Sequence, residues 1–259
     1  MTMQEVAILI GVGLFGGAWN SVAGGATLFT FPALMATGLP PVVANATNVL
    51  ALMPANAFAL LPFRAELRAV GTRAMPLLAV SGAGAVTGAL LLLFPDPAVF
   101  EALIPWLVLL ATLLFASADR LRLWLLAQSQ GWTGKNATYP ALFVGSIYGG
   151  YFGAGLGFLL LALAQIIGFR DFHTANVIKN LLSTVFMILS VVVFSAGGLV
   201  AWPEALAMMF GTSLGGLVGA KAARFLDPDG LRWIVVGLGV ILCLYYFAAT
   251  YWPVAGWTR

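Results

Sequence analysis

Residues 16–60 read GGAWNSVAGGATLFTFPALMATGLPPVVANATNVLALMPANAFAL, and residues 149–194 read GGYFGAGLGFLLLALAQIIGFRDFHTANVIKNLLSTVFMILSVVVF. These are two copies of one unit. Each opens on a Gly-Gly pair and carries a second glycine cluster shortly after. Each then reaches an Ala-Asn pair (Ala44-Asn45; Ala175-Asn176) and a second asparagine (Thr47-Asn48; Lys179-Asn180). The match resumes downstream, where Gly84-x-x-x-Gly88 and Phe94-Pro-Asp-Pro97 pair with Gly215-x-x-x-Gly219 and Phe225-Leu-Asp-Pro228. The offset between copies stays between 131 and 133 residues over most of each half. A duplicated apolar unit whose flanking charges fall on opposite sides is the sequence mark of a secondary transporter built from inverted repeats.

Composition sets the solvent. Of 259 residues, 61% are hydrophobic and 8% charged, against about 25% charged in soluble domains. The apolar runs are too many and too long for one soluble core, so the expected fold is an all-α polytopic membrane protein. The runs are continuous rather than alternating, which argues against a transmembrane β-barrel. The start, MTMQEVAILIG, has no basic residue before its apolar stretch and so does not resemble a cleaved signal peptide. Cys243 stands alone, which excludes an intrachain disulfide and a thiolate metal site. Neither a metal nor a cofactor is expected. The net charge of +3 orients helices rather than binding nucleic acid.

Each half divides into five apolar segments: 6–19, 24–38, 41–63, 74–94 and 98–118, then 139–152, 157–169, 174–196, 203–225 and 231–252. The domain reading is therefore a first membrane repeat at 1–118, a cytoplasmic connector at 119–138 and a second repeat at 139–259. In each half the first two segments fall short of the roughly 20 residues a full span requires. They flank Gly24-Gly25 and Gly153-x-Gly155-x-Gly157, and glycine permits sharp reversal. Each pair is expected to form a hairpin of short or broken helices with its turn inside the protein. Such backbone is tolerated at membrane depth only where buried or lining a cavity. The competing reading is that these glycines serve helix packing alone. Whether the hairpins cross fully or re-enter stays open.

Basic residues collect in cytoplasmic loops. Arg64, Arg68 and Arg73 follow the third segment, Arg120, Arg122 and Lys135 lie in the connector, and Lys221, Arg224 and Arg232 lie between the last two segments. Arg170, Asp171 and His173 fall on that same side. The other side holds Glu5, Asp96, Glu101 and Glu204, with no base before Arg259. This predicts both termini outside the plasma (inner) membrane. Trp124 and Trp132 are candidate headgroup anchors for the connector.

The few polar residues within the apolar segments cluster. Asn20 and Ser21 adjoin the first glycine turn, Asn45, Thr47 and Asn48 open the third segment, and Asn176, Lys179 and Asn180 hold the matching place in the second half. An ionisable residue inside a membrane is costly and marks a functional site by default. Lys179 lies roughly 12 Å into its helix at 1.5 Å per residue, so snorkelling to the surface is open but strained, and a buried, substrate-facing ammonium is favoured. Lys221, nearer its helix end, is expected to snorkel. The asparagines also admit a reading as interhelical glue. No Asp or Glu lies deep in any segment, which argues against a cation or metal carrier and against an intramembrane enzyme. The expected binding set for a small anion is Lys179, Asn48, Asn180, Thr47, Asn20, Asn176 and Asn45. His173 is a candidate proton carrier, set against a structural or solvated role.

At these blocks the chain resembles the TauE/SafE family of sulfite and organosulfonate permeases. AGGATLFTFPALMATGLPP followed by ANATN is similar to that family's first glycine-rich hairpin, and YGGYFGAGLGF followed by ANVIKN to its later block. The resemblance covers nearly the whole chain. It implies transport, often outward, of small sulfur-containing anions such as sulfite or organosulfonates, and it points to Asn48 and Lys179. This chain has Gly24-Gly25-Ala26 where relatives often carry a longer glycine run, and lacks an acidic residue that some have near Gly149. That absence puts carboxylate-based proton coupling in doubt. The expected partners are the anion and the lipid bilayer. An anion channel is the rival reading, and homo-oligomerisation through Gly-x-x-x-Gly faces is open.

Overall fold

The computed structural model describes residues 1–22, 24–117, 120, 123, 135–166, 169, 172–222 and 228–252. The expectations for Arg122, Trp124, Trp132, Arg170, Asp171, Arg224 and Arg259 lie outside the described residues, as does most of the connector. So do the side chains of Arg73, Lys135, His173 and Arg232.

Among the described residues every regular element is helical. The first half holds α1 (Met3–Val22), α2 (Thr27–Ala36), α3 (Pro41–Ala59), α4 (Arg64–Val70), α5 (Met75–Leu93) and α6 (Pro97–Ala116). The second holds α7 (Lys135–Tyr151), α8 (Leu156–Ile166), α9 (Phe172–Ala196), α10 (Trp202–Ala222) and α11 (Pro228–Tyr251). The starts follow familiar local chemistry. Pro41 and Pro97 occupy first-turn positions where no N–H is needed, and the Asp96 carboxylate accepts from the Ala98 N–H at 2.9 Å. One expectation changes: Arg64 and Arg68 sit on a short helical continuation of α3 rather than a loop, since RAELRAV is rich in helix formers.

Five stretches are long and apolar enough to cross a membrane: Pro41–Arg68, Met75–Leu93, Pro97–Ala116, Thr174–Ala196 and Trp233–Tyr251. The molecule is inside-out relative to a soluble protein. Leu91, Leu113, Val144, Val192, Phe210 and Leu244 are exposed, while Asn45, Asn48, Asn56, Asn180 and Lys179 are buried. Lipid tails are the solvent for that outer surface.

Two helix pairs carry the closest packing. α1 lies parallel to α10, with Gly13 and Gly17 against the backbone of Met208 and Thr212, and Gly211, Gly215 and Gly219 against Ile10, Leu14 and Ala18. α5 lies parallel to α7, with Gly84 and Gly88 against Phe143 and Ile147, and Gly150 against Ala85. A Cβ at these positions would run into a backbone carbonyl of the partner helix. Without a hydrophobic drive between helices in lipid, such backbone approach maximises dispersion contact. The first helix of each half is thus packed on a helix of the other half.

Contacts along the helices fix their directions. Tyr251 bonds the Ala102 carbonyl at 3.1 Å, and Gly239 abuts Thr112, so α6 and α11 are antiparallel. α3 meets α9 at Ala59–Val177 toward one end, and Thr47 accepts from the Ala201 N–H, just beyond α9, at the other. Gly197 touches Leu93. It follows that Glu5, Asp96, Glu101, Glu204 and Tyr251 share one end of the bundle. Arg64, Arg68 and Lys221 share the opposite end.

The first two segments of each half form hairpins; α1 departs from the expected shortness, having 20 residues, while α2 and α8 are short. α1 comes from the acidic end, and α2 returns to it, with Phe29 against Phe15 and Met35 reaching Tyr246. α7 comes from the basic end, and α8 returns there, with Leu156 on Gly149 and Leu159 on Gly145. α2 has 10 residues and α8 has 11, roughly 15 Å at 1.5 Å per residue and half the bilayer core. The turns need positive φ: 76° and 82° at Gly24 and Gly25, and 77° at both Gly153 and Gly155. They meet inside the molecule. A Cβ on residue 24 would stand 3.0 Å from the Gly157 Cα, and the ring of Phe115 on α6 covers both Gly25 and Gly155.

Candidate functional site

Where the first turn meets α9, the last carbonyls of α1 point into the protein. The end of a helix leaves such carbonyls without intrahelical partners. Lys179 donates from Nζ to the Asn20 carbonyl at 3.4 Å, and Asn176 donates from Nδ2 to the Ser21 carbonyl at 3.5 Å. Lys179 is 2% exposed and is the one charged side chain buried among the described residues. No buried carboxylate faces it there. An ammonium has three N–H donors, and this one makes a single, long bond among the described residues. The cation-attracting end of α1 holds it in place without neutralising it. Lys221, by contrast, is exposed.

Asn176, Lys179 and Asn180 stand at i, i+3 and i+4 on α9 and so share one face. Asn20 completes this side: its Nδ2 donates to Asn56 Oδ1 at 3.2 Å, and Asn56 Nδ2 donates to Met187 Sδ at 3.3 Å. Asn56 is 2% exposed and was not among the sequence-derived candidates. A signal for it existed, because eleven residues separate it from Asn45 and a helix returns to nearly the same face after that interval. Met187 is the repeat mate of Asn56 at the 131-residue offset, so the two halves touch here at equivalent positions.

Asn48 is placed differently. Its Oδ1 accepts from Thr30 at 2.5 Å, and its Nδ2 donates to Thr27 at 3.2 Å. It ties the inward start of α2 to α3. Thr27 and Thr30 were also missed from sequence; they lie in an apolar stretch that reads as packing. Thr47 is committed to the Ala201 N–H at 3.0 Å, near the acidic end. Asn45 donates to the Tyr151 carbonyl, the last of α7, at 2.9 Å. This mirrors the bond from Asn176 to the end of α1. Lys179, Asn20, Asn176 and Asn180 therefore form one cluster, extended by Asn56, while Asn48, Thr47 and Asn45 each serve a different junction.

Both short helices begin at the turns, so their N-terminal N–H groups and positive dipole ends face the interior. Ala26 at the start of α2 has no side-chain acceptor with which to cap them. A lone buried ammonium and the positive dipole ends of two short helices favour a small anion over a cation. The apolar clefts at Phe15/Pro32, Val80/Phe143 and Trp106/Phe247 do not include Lys179.

A family model described as "Sulfite exporter TauE/SafE" matches residues 9–246. A relative named "Probable membrane transporter protein" from Haemophilus influenzae is 31% identical over 240 residues, covering 89% of this chain and 90% of its own length. "Probable membrane transporter protein YfcA" of Escherichia coli is 29% identical, covering 92% and 87%. A third, "Probable membrane transporter protein ORF9" from a Sinorhizobium species, is 27% identical, covering 99% and 98%. No solved structure matches.

Proposed function

From the premise that this chain belongs to the sulfite exporter TauE/SafE family of membrane transporters, we propose that it carries small sulfur-containing anions, sulfite or organosulfonates, by alternating access. The observation that carries this reading is the buried Lys179 ammonium, with no buried carboxylate among the described residues. Such a group is retained against a desolvation cost of a few kcal/mol. An arriving oxyanion makes up that cost with charge-assisted hydrogen bonds, about twice as strong as neutral ones.

The anion sits against Lys179, between the turns. Asn180 and Asn56 flank it, and the inward ends of α2 and α8 face it. Asn48, Thr47 and Asn45 hold the hairpins and helix ends rather than the cargo. The two halves act as inverted repeats, a reading supported by the exchange of α1 and α7 between halves and by hairpins entering from opposite ends. The basic end faces the cytoplasm and both termini face outward in the inner membrane. Export of a monoanion then gains roughly 2.3 kcal/mol per 100 mV of inside-negative potential.

Proteoliposome counterflow of labelled sulfite and ethanesulfonate tests this. Saturable exchange that fails in Lys179→Gln is expected. Normal exchange by that variant removes the proposed site, and ohmic current without exchange replaces the carrier with a channel.

A further inference from the structure

Among the described residues, the cluster around Lys179 holds buried acceptors that no donor meets. Asn176 Oδ1 and Asn180 Oδ1 are both buried and have no hydrogen-bond partner among the described residues. The residues are 7% and 1% exposed. The orientation of Asn176 is pinned, because its Nδ2 faces the Ser21 carbonyl and a flipped amide would set oxygen against oxygen. The same arrangement recurs in the first half. Asn45 Nδ2 is pinned on the Tyr151 carbonyl and Asn45 Oδ1 is left bare. The recurrence at equivalent positions marks a property of the fold rather than an isolated misfit. A buried acceptor without a donor costs about 1–3 kcal/mol, so the pinned Asn176 Oδ1, with the Asn180 amide beside it on the same helix face, calls for a ligand that donates.

A donor-free oxyanion answers Lys179 and leaves both carbonyls unsatisfied. A cation answers the carbonyls but is repelled by the ammonium one helical turn away. The group that answers both carries a negative head and its own N–H or O–H. Resting on the anion-carrier reading above, we propose that the cargo is a small anion bearing a neutral hydroxyl donor, such as a hydroxyalkylsulfonate. Its oxyanion meets Lys179, and its hydroxyl donates to one of the two carbonyls, Asn180 Oδ1 or Asn176 Oδ1. Selection between sulfonates of similar size then resides in the two asparagines.

The experiment is competition against labelled 2-hydroxyethanesulfonate counterflow in proteoliposomes of the full chain, using unlabelled 2-hydroxyethanesulfonate, ethanesulfonate and 1-propanesulfonate. The last is close in size to the first and has no donor. The wild-type protein is expected to take the hydroxylated anion about tenfold better than either donor-free one, the ratio one satisfied buried hydrogen bond supplies. In Asn180→Leu the ratio is expected to fall toward one. Equal competition by all three in a Lys179-dependent wild-type carrier overturns the donor inference and leaves the anion carrier standing. Exchange that persists in Lys179→Gln, or no exchange of any of the three, overturns both. The wild-type comparison needs no variant to fold.

Discussion

At the scale of single residues, Lys179 separates stability from function. Replacing a buried, poorly paired charge by an apolar side chain of similar volume is commonly neutral or stabilising. Lys179→Met is therefore expected to keep or raise the thermal midpoint in detergent while transport falls about 10–100-fold, the worth of a charge-assisted hydrogen bond. A midpoint several degrees lower would make Lys179 structural instead. Asn48→Ala is expected to do the reverse. It removes the donor to Thr27 and leaves Thr30 with the Ala26 carbonyl alone, costs about 1–3 kcal/mol, and lowers the midpoint. Anion affinity per folded molecule should stay near wild type; a large loss of affinity would return Asn48 to the binding set. The depth of Lys179 was legible in the sequence because 1.5 Å per residue converts position into burial. The partners of Asn48 were not, because two threonines in an apolar run carry no periodic signal.

At the scale of elements, the hairpins were legible in outline. Short apolar segments around glycine clusters suggest a turn, yet how deep each turn lies became visible only from where Gly24 meets Gly157. Gly25 is the position where this geometry is least forgiving. Its φ of 82° disfavours any L side chain, and a Cβ there would overlap the Phe115 ring. Gly25→Ala is expected to destabilise by about 1–3 kcal/mol from backbone strain, plus the overlap. Pairing it with Phe115→Leu should restore part of the loss, which a two-variant cycle of thermal midpoints would read. Full additivity would mean that the ring and the turn are not in contact. Gly11, exposed on α1 with nothing near its Cβ position, is the control, since Gly11→Ala should be neutral or slightly stabilising.

At the scale of the molecule, the repeat in the sequence says nothing of how the two segments of chain interlock. A helical period reports which face is buried and says nothing of which helix buries it. The packing of α1 on α10 and of α5 on α7 makes each packed pair a composite of both halves, so the alternating access proposed above would move these composites about the meeting turns. The same contacts place the acidic and basic groups at opposite ends, and this yields an orientation test with low background, because Cys243, the one cysteine in the chain, is buried. Single cysteines at Glu5, Asp96 and Glu204 should react with a membrane-impermeant maleimide on intact cells with the outer membrane permeabilised. Cysteines at Arg68 and Lys221 should react only after the inner membrane is opened. Labelling of Arg68→Cys from outside would invert the protein. The voltage term would be unchanged, because it depends on the cargo's charge and the potential and not on which end of the carrier faces the cytoplasm.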